Sequence, residues 1–276
     1  MSNDPVLQYD DILEALKSQV NSNTFGIFVP SIQRSIPFRQ ITVEEQKFIS
    51  KRGIEDSSVR SSYEVFIALI SKLCVDKTID VLSFTELDRI KILIELFRKN
   101  YNINKYGLTC PACKHAFQTA IDFNPILSAF DKFDSTPLVH TVVSEISRSK
   151  YTFTLYPPSI KAVRAYNQAC IDAKHEVTTE PFERSDFYRL FIKKIEVVRE
   201  DGQVSPFIID CNSLTYAQIE NVLNLMPVDA IYSEAGVVGA LSKNYMSKFS
   251  DIKSDVICPK CSHVIVGAVS PSSFFQ

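Results

Sequence analysis

Glycine is scarce, only seven of 276 residues, which leaves little material for a glycine-rich loop whose backbone cradles a phosphate. There is no surplus of positive charge either: 30 Lys and Arg stand against 32 Asp and Glu, with a pI near 6.1. A general binder of phosphate backbones carries such a surplus, so nucleic acid is not the expected partner. No stretch approaches the ~18 consecutive apolar residues of a membrane helix. The start, MSNDPVLQYDD, lacks the basic end and apolar run of a signal peptide. A soluble, cytoplasmic protein is expected. Internal repeats and low-complexity tracts are missing too, apart from one repeated cysteine motif.

What is present can form a core. Hydrophobic residues make up 45% and aromatic residues 11% of the chain, enough for one large domain or two modest ones. A helix is expected at 8–20. In the following segment, 24–40 (TFGIFVPSIQRSIPFRQ), Pro30 and Pro37 each fix φ and remove a donor, so an extended or looping stretch across the surface is expected. Thr42-Val-Glu-Glu45 has the reciprocal hydrogen-bonding logic of a capping box and opens a short helix ending near Gly53. Tyr63, Val65, Phe66, Leu69, Ile70 and Leu73 recur at helical spacing. So do Leu87, Ile90, Leu93, Ile94 and Phe97, with Asp88, Lys91, Glu95 and Arg98 among the other positions. Two amphipathic helices follow from these patterns.

Alternation of apolar and polar residues predicts strands at 116–123 and at 142–155 around a turn near 147–150. Pro157-Pro158 breaks the chain, after which 160–173 and 186–191 read as helical. Segments 194–199 and 207–209 flank Asp201-Gly202 as a hairpin. Thr215-x-x-Gln218 caps a helix through Leu225, Pro227 interrupts it, and another helix precedes Tyr245. The expected fold is α+β, mainly helical, with a small β element.

Seven cysteines are an odd number for a disulfide framework, and four of them form two near-identical turns, Cys110-Pro-Ala-Cys113 and Cys258-Pro-Lys-Cys261. A two-residue gap lets both sulfurs of a turn converge on one cation, and two such turns supply the four ligands of tetrahedral Zn²⁺. Either turn alone would be a weak signal; the pair is a strong one. The 144 residues between Cys113 and Cys258 would then be inserted between the halves of the site, 106–123 and 252–269. One interlocked domain over 1–276 is expected, with 1–57 as its N-terminal segment. Zinc would act structurally, as in zinc-finger peptides, whose apparent metal-binding energies are roughly 10–16 kcal/mol.

The same residues admit other readings. Cys-Pro-x-Cys also serves disulfide oxidoreductases, where the first sulfur sits at a helix N-terminus; here the flanks alternate like strands. His115 and His263 follow the two pairs at the same offset, but four thiolates already complete a closed shell. His140 and His175 read as surface histidines, and Cys74, Cys170 and Cys211 as small core residues rather than nucleophiles. The acid pairs Asp10-Asp11 and Glu44-Glu45 suit helix N-termini better than acid–base catalysis. No catalytic constellation emerges, and a protein that works by binding is expected.

The order of FVPSIQRSIPFRQITVEEQKFISK, FTELDRIKILIELFRKNYN leading into GLTCPACKHAF, then YTFTLYPPS, LTYAQIENVLNLMP and the closing CPKC resembles the baseplate hub subunit and hub assembly family of T4-like contractile-tailed phages. That resemblance, over about 24–265, implies a role in tail baseplate formation through other baseplate or hub proteins. It implies a location in the cytoplasm of the infected host, or in the virion tail. It brings no catalytic residues with it. Candidate apolar surfaces for such contacts are Phe25 to Phe38 and the terminal Pro271-Ser-Ser-Phe-Phe-Gln276, which read equally as core packing or a frayed tail. The other reading is a nucleic-acid-associated regulator with a zinc ribbon, for which Lys105, Lys114 and Lys260 would supply charge near the turns.

Overall fold

In the computed structural model, which describes residues 9–55, 59–101, 106–119, 123–133, 136–172, 187–199, 206–246 and 254–269, a helix that reads as a surface helix lies at the centre. This is α4 (Glu86–Tyr101), the fourth helix after α1 (Tyr9–Ser22), α2 (Val43–Glu55) and α3 (Val59–Leu73). From Phe84 to Ile94 every side chain is buried, including Glu86, Asp88, Arg89 and Lys91. The expected amphipathic helix therefore has no solvated face over this stretch.

Buried polar groups need partners, and those of α4 find them on several elements. Glu86 accepts from Arg89 Nε at 2.7 Å and from the Tyr63 hydroxyl of α3 at 2.8 Å. Asp88 accepts from the backbone N–H and hydroxyl of Thr85, capping the helix, and from the N–H of Ser31 at 3.0 Å. Lys91 donates to the carbonyl of Phe28 and to Asp131.

Ser31 and Phe28 belong to the segment expected to run extended or looping across the surface. It is extended, but as a hairpin with one face buried: β1 (Thr24–Val29) pairs with β2 (Arg34–Arg39), turned through a 3₁₀ element at Pro30–Ile32 with Gln33 at φ 50°. Ile27, Val29, Ile36 and Phe38 are at most 1% exposed, so one face of this stretch is core packing, while Ile32 and its neighbours in the turn stay exposed. Period-two alternation sends those four inward, and Pro37 sits opposite Gly26 in a ribbon of only two strands.

The remaining strands pair antiparallel. β5 (Leu138–Ser144), β6 (Ser149–Leu155), β7 (Ile192–Arg199) and β8 (Phe207–Asp210) form one sheet in that order. β3 (Tyr106–Thr109) pairs with β4 (Ala116–Thr119), and β9 (Ser254–Ile257) with β10 (Val264–Val269). Of the strand expected at 116–123, β4 is described to Thr119, 120–122 lie outside the described residues, and Phe123 opens α5 (Phe123–Asp131). The β7–β8 hairpin is as expected, while Asp201-Gly202 lies outside the described residues. The chain is α+β and mainly helical.

Helices α6 (Ile160–Asp172), α7 (Tyr216–Asn224), α8 (Val228–Tyr232) and α9 (Val237–Leu241) complete the fold. Thr215 and Gln218 form the expected capping box of α7. An aromatic row runs Tyr216, Tyr166, Phe187, Phe191, Tyr245, Phe133, with adjacent ring centroids 4.7–6.2 Å apart. Each such pair adds about 0.5–1.5 kcal/mol beyond the area it buries. The row joins α7, α6 and the turn before β7 to the end of α5 and to the segment leading toward β9.

Two tests address this core. Glu86→Ala leaves Arg89 buried without its carboxylate and is expected to cost about 3–5 kcal/mol in urea unfolding, whereas the double variant E86L/R89M recovers most of that loss. Glu45, 3% exposed at its side chain, caps α2 and pairs with Arg39 at 2.9 Å. Burial alone would raise its pKa, but Arg39 and Thr42 outweigh it and hold it at about 2 instead of 4.5. A depressed carboxylate stabilises the fold above its unfolded pKa, and that stability is lost as pH falls through the folded value. Thermal melts of wild type should therefore fall between about pH 4.5 and 2, and E45Q should lose this component.

Candidate metal centre

Each cysteine turn joins two strands: Cys110 and Cys113 lie between β3 and β4, Cys258 and Cys261 between β9 and β10. The two turns share one backbone design. The N–H of Cys110 donates to His115 O and the N–H of Lys114 to Cys110 O, both at 2.9 Å; Cys258, His263 and Ser262 repeat the pattern at the same distances. Lys114 and Ser262 follow the second cysteines with φ of 58° and 57°. This left-handed step returns the chain to the second strand. The sequence reading missed these two residues, although their common offset after each CPxC was the available signal.

The hairpins converge so that all four Sγ atoms lie within 4.8 Å of one another. Sγ of Cys110 is 3.6 Å from that of Cys261, and Sγ of Cys113 is 3.7 Å from that of Cys258. Four thiolates about 2.3 Å from a central zinc have sulfurs roughly 3.8 Å apart, whereas a disulfide brings two to about 2.05 Å. The closest pairs thus fit a metal tetrahedron far better than a bond, and each joins one turn to the other. No helix begins at either turn, so the helix N-terminus that activates a redox cysteine is missing here.

Electrostatics point the same way. Burial opposes the Cys258 thiolate, but the N–H groups of Cys261 and Lys260 donate to it and bring its pKa down to about 7. At Cys261 the N–H of His263 favours the thiolate, yet hydrogen bonding with Cys113, burial, and bonding with Cys258 and Cys110 push the pKa up to about 12. A divalent cation held here would supply positive charge that favours the thiolate forms of Cys258 and Cys261. Among the described residues, these four cysteines are the group of Cys, His, Asp or Glu able to hold a metal ion, and His115 and His263 are not in it.

A family model for the T4 bacteriophage base plate protein matches residues 22–276. The chain belongs to that family. No curated protein and no solved structure matches it.

Other cysteines of this baseplate protein are structural. Cys74, Cys170 and Cys211 are buried, and burial raises the thiol pKa of Cys74 and lifts that of Cys211 to about 11. His140, expected as a surface histidine, meets the carbonyl of Ala235 at 2.8 Å. Asp10, Asp11, Glu44 and Glu45 stand in first helical turns. His175, Lys105 and 271–276 lie outside the described residues. Among those described, no helix is long and apolar enough to cross a membrane.

Glycine adopts positive φ without the cost other residues incur, about 1–2 kcal/mol. Lys114→Gly and Ser262→Gly should therefore each raise the urea midpoint, whereas valine at either position should lower it and weaken metal retention against a chelator. Valine without effect on both readings would show that the turn conformation does not support the site.

Proposed function

We propose that this chain is a non-enzymatic hub component of the phage baseplate that acts in its assembly through contacts with other baseplate proteins. A structural zinc ion held by Cys110, Cys113, Cys258 and Cys261 stabilises it. The observation that carries the baseplate reading is the family match, which spans nearly the whole chain. The zinc reading rests on the sulfur spacing and on the paired turns.

Zinc here would be a clasp. Cys110 and Cys113 follow the central helix α4, while Cys258 and Cys261 come near the chain's end, so one ion ties together segments with most of the fold between them. Closing so long a loop removes entropy from the unfolded chain. This supports one interlocked domain over 1–276 rather than separable ones. Exposed apolar side chains at Leu225 (88%), Val228 and Tyr232 supply surface for protein contacts. With 30 basic against 32 acidic residues, the nucleic-acid reading gains no support.

Purified protein is expected to carry one zinc per chain by elemental analysis, with the four thiols reacting with a thiol reagent only after chelation or denaturation. C113S/C261S should lose the metal and melt at lower temperature; fully reactive thiols in metal-loaded protein would sink the zinc site. In infected cells the chain is expected to co-purify with tail proteins in the cytoplasm. Comparison with finished particles then tells an assembly factor from a retained subunit. Recovery with nucleic acid and no tail protein would overturn the baseplate assembly role.

A further inference from the structure

Helix α1 has no buried residue, although its sequence is built to be half buried. Tyr9, Ile12, Leu13, Leu16 and Val20 fall on one stripe of about 100°. Tyr9 is 74%, Leu16 52% and Ile12 41% exposed; Leu13 and Val20 are half-buried and α1 touches β2, but none of the five joins the hydrophobic core or packs against it. A 14-residue helix is marginal in water without tertiary packing, so the stripe calls for a cover. Apart from its last residue, α1 precedes the segment matched by the family, so this feature is not part of that resemblance.

Its pattern says what the cover is. Tyr9, Leu13, Leu16 and Val20 are spaced four, three and four residues apart, the seam of a short coiled coil, while Asp11, Glu14, Ser18 and Asn21 fall on the outer side. Two copies laid antiparallel put Tyr9 against Val20 and Leu13 against Leu16, and the twofold axis repeats each layer. Beside the seam, Asp10 of one copy then faces Lys17 of the other, twice; a parallel pair does not bring these two together. An isologous contact requires such self-complementarity.

We propose that α1 pairs with α1 of a second copy, antiparallel, to form a weak dimer. The contact is small beside the roughly 1,200–2,000 Å² of stable interfaces, so dissociation constants of ~10–500 µM are expected. Such a pairing keeps the stripe covered before assembly and releases it to a tighter partner. It does not depend on the zinc site or on the baseplate reading.

Sedimentation velocity of the full chain from ~1 to 500 µM should show a reversible monomer–dimer equilibrium. Leu16→Glu puts two charges into the seam and should weaken it at least ~100-fold. Lys17→Glu and Asp10→Lys should each weaken it about tenfold, and the double variant D10K/K17E should restore it, which mere helix unfolding would not do. A chain that stays monomeric to ~500 µM overturns the proposal. So does a dimer indifferent to Leu16→Glu, or one that K17E weakens and D10K does not rescue. A monomer whose Leu16→Glu form fails to join tail proteins would assign the stripe to a different partner and overturn the second-copy pairing.

Discussion

The carboxylate of Glu86, 0% exposed and held between Arg89 and Tyr63, stands for the constraint on which the rest of the structure depends. A helix buried all round cannot carry charged side chains unless neighbouring elements satisfy them. In α4 they do so in three directions: α3 through Tyr63, the β1–β2 hairpin through Ser31 and Phe28, and α5 through Asp131. These contacts are specific in a way that apolar packing is not. A hairpin shifted by one residue would turn Ile27, Val29, Ile36 and Phe38 outward and misplace the groups that meet Asp88 and Lys91.

From this centre the chain leads to the two cysteine turns. α4 is followed in sequence by β3 and the first turn, and Tyr245, whose hydroxyl reaches the carbonyl of Leu155 at 3.4 Å, anchors the segment that leads to the second. Each turn is small, with little apolar surface of its own, and its strands are four to six residues long. Two-stranded hairpins of this length are marginal alone. A metal ion held by the four sulfurs, which lie within 4.8 Å of one another, would tie these two short hairpins together. This division of labour suits a baseplate protein, whose outer surface must meet neighbours while its interior keeps one register.

Much of this was legible in the residues because the relevant physics is local. Thr42 with Glu45 and Thr215 with Gln218 are reciprocal caps across three residues, and the alternation at 149–155 follows from strand geometry alone. The four candidate ligands were legible for the same reason, since two-residue spacing is a property of the turn and the motif occurs twice. Local reasoning misjudged the hairpin at 24–40, because prolines inform about backbone donors and say nothing of which face is covered. It misjudged α4 as well, because Asp88 and Lys91 look like the solvated side of any amphipathic helix until their partners, 57 and 40 residues away, are known.

By itself, then, the sequence determined the helix caps, the strand alternation and the chemistry of the cysteine pairs, all set by neighbours within a few residues. Tertiary structure decided which helix is central, that one face of the proline-bearing segment is core, that Cys110 meets Cys261 and Cys113 meets Cys258, and that the stripe of α1 stays outside the core. Burial and pairing depend on what distant parts of the chain bring to the same place, and local spacing carries no record of that.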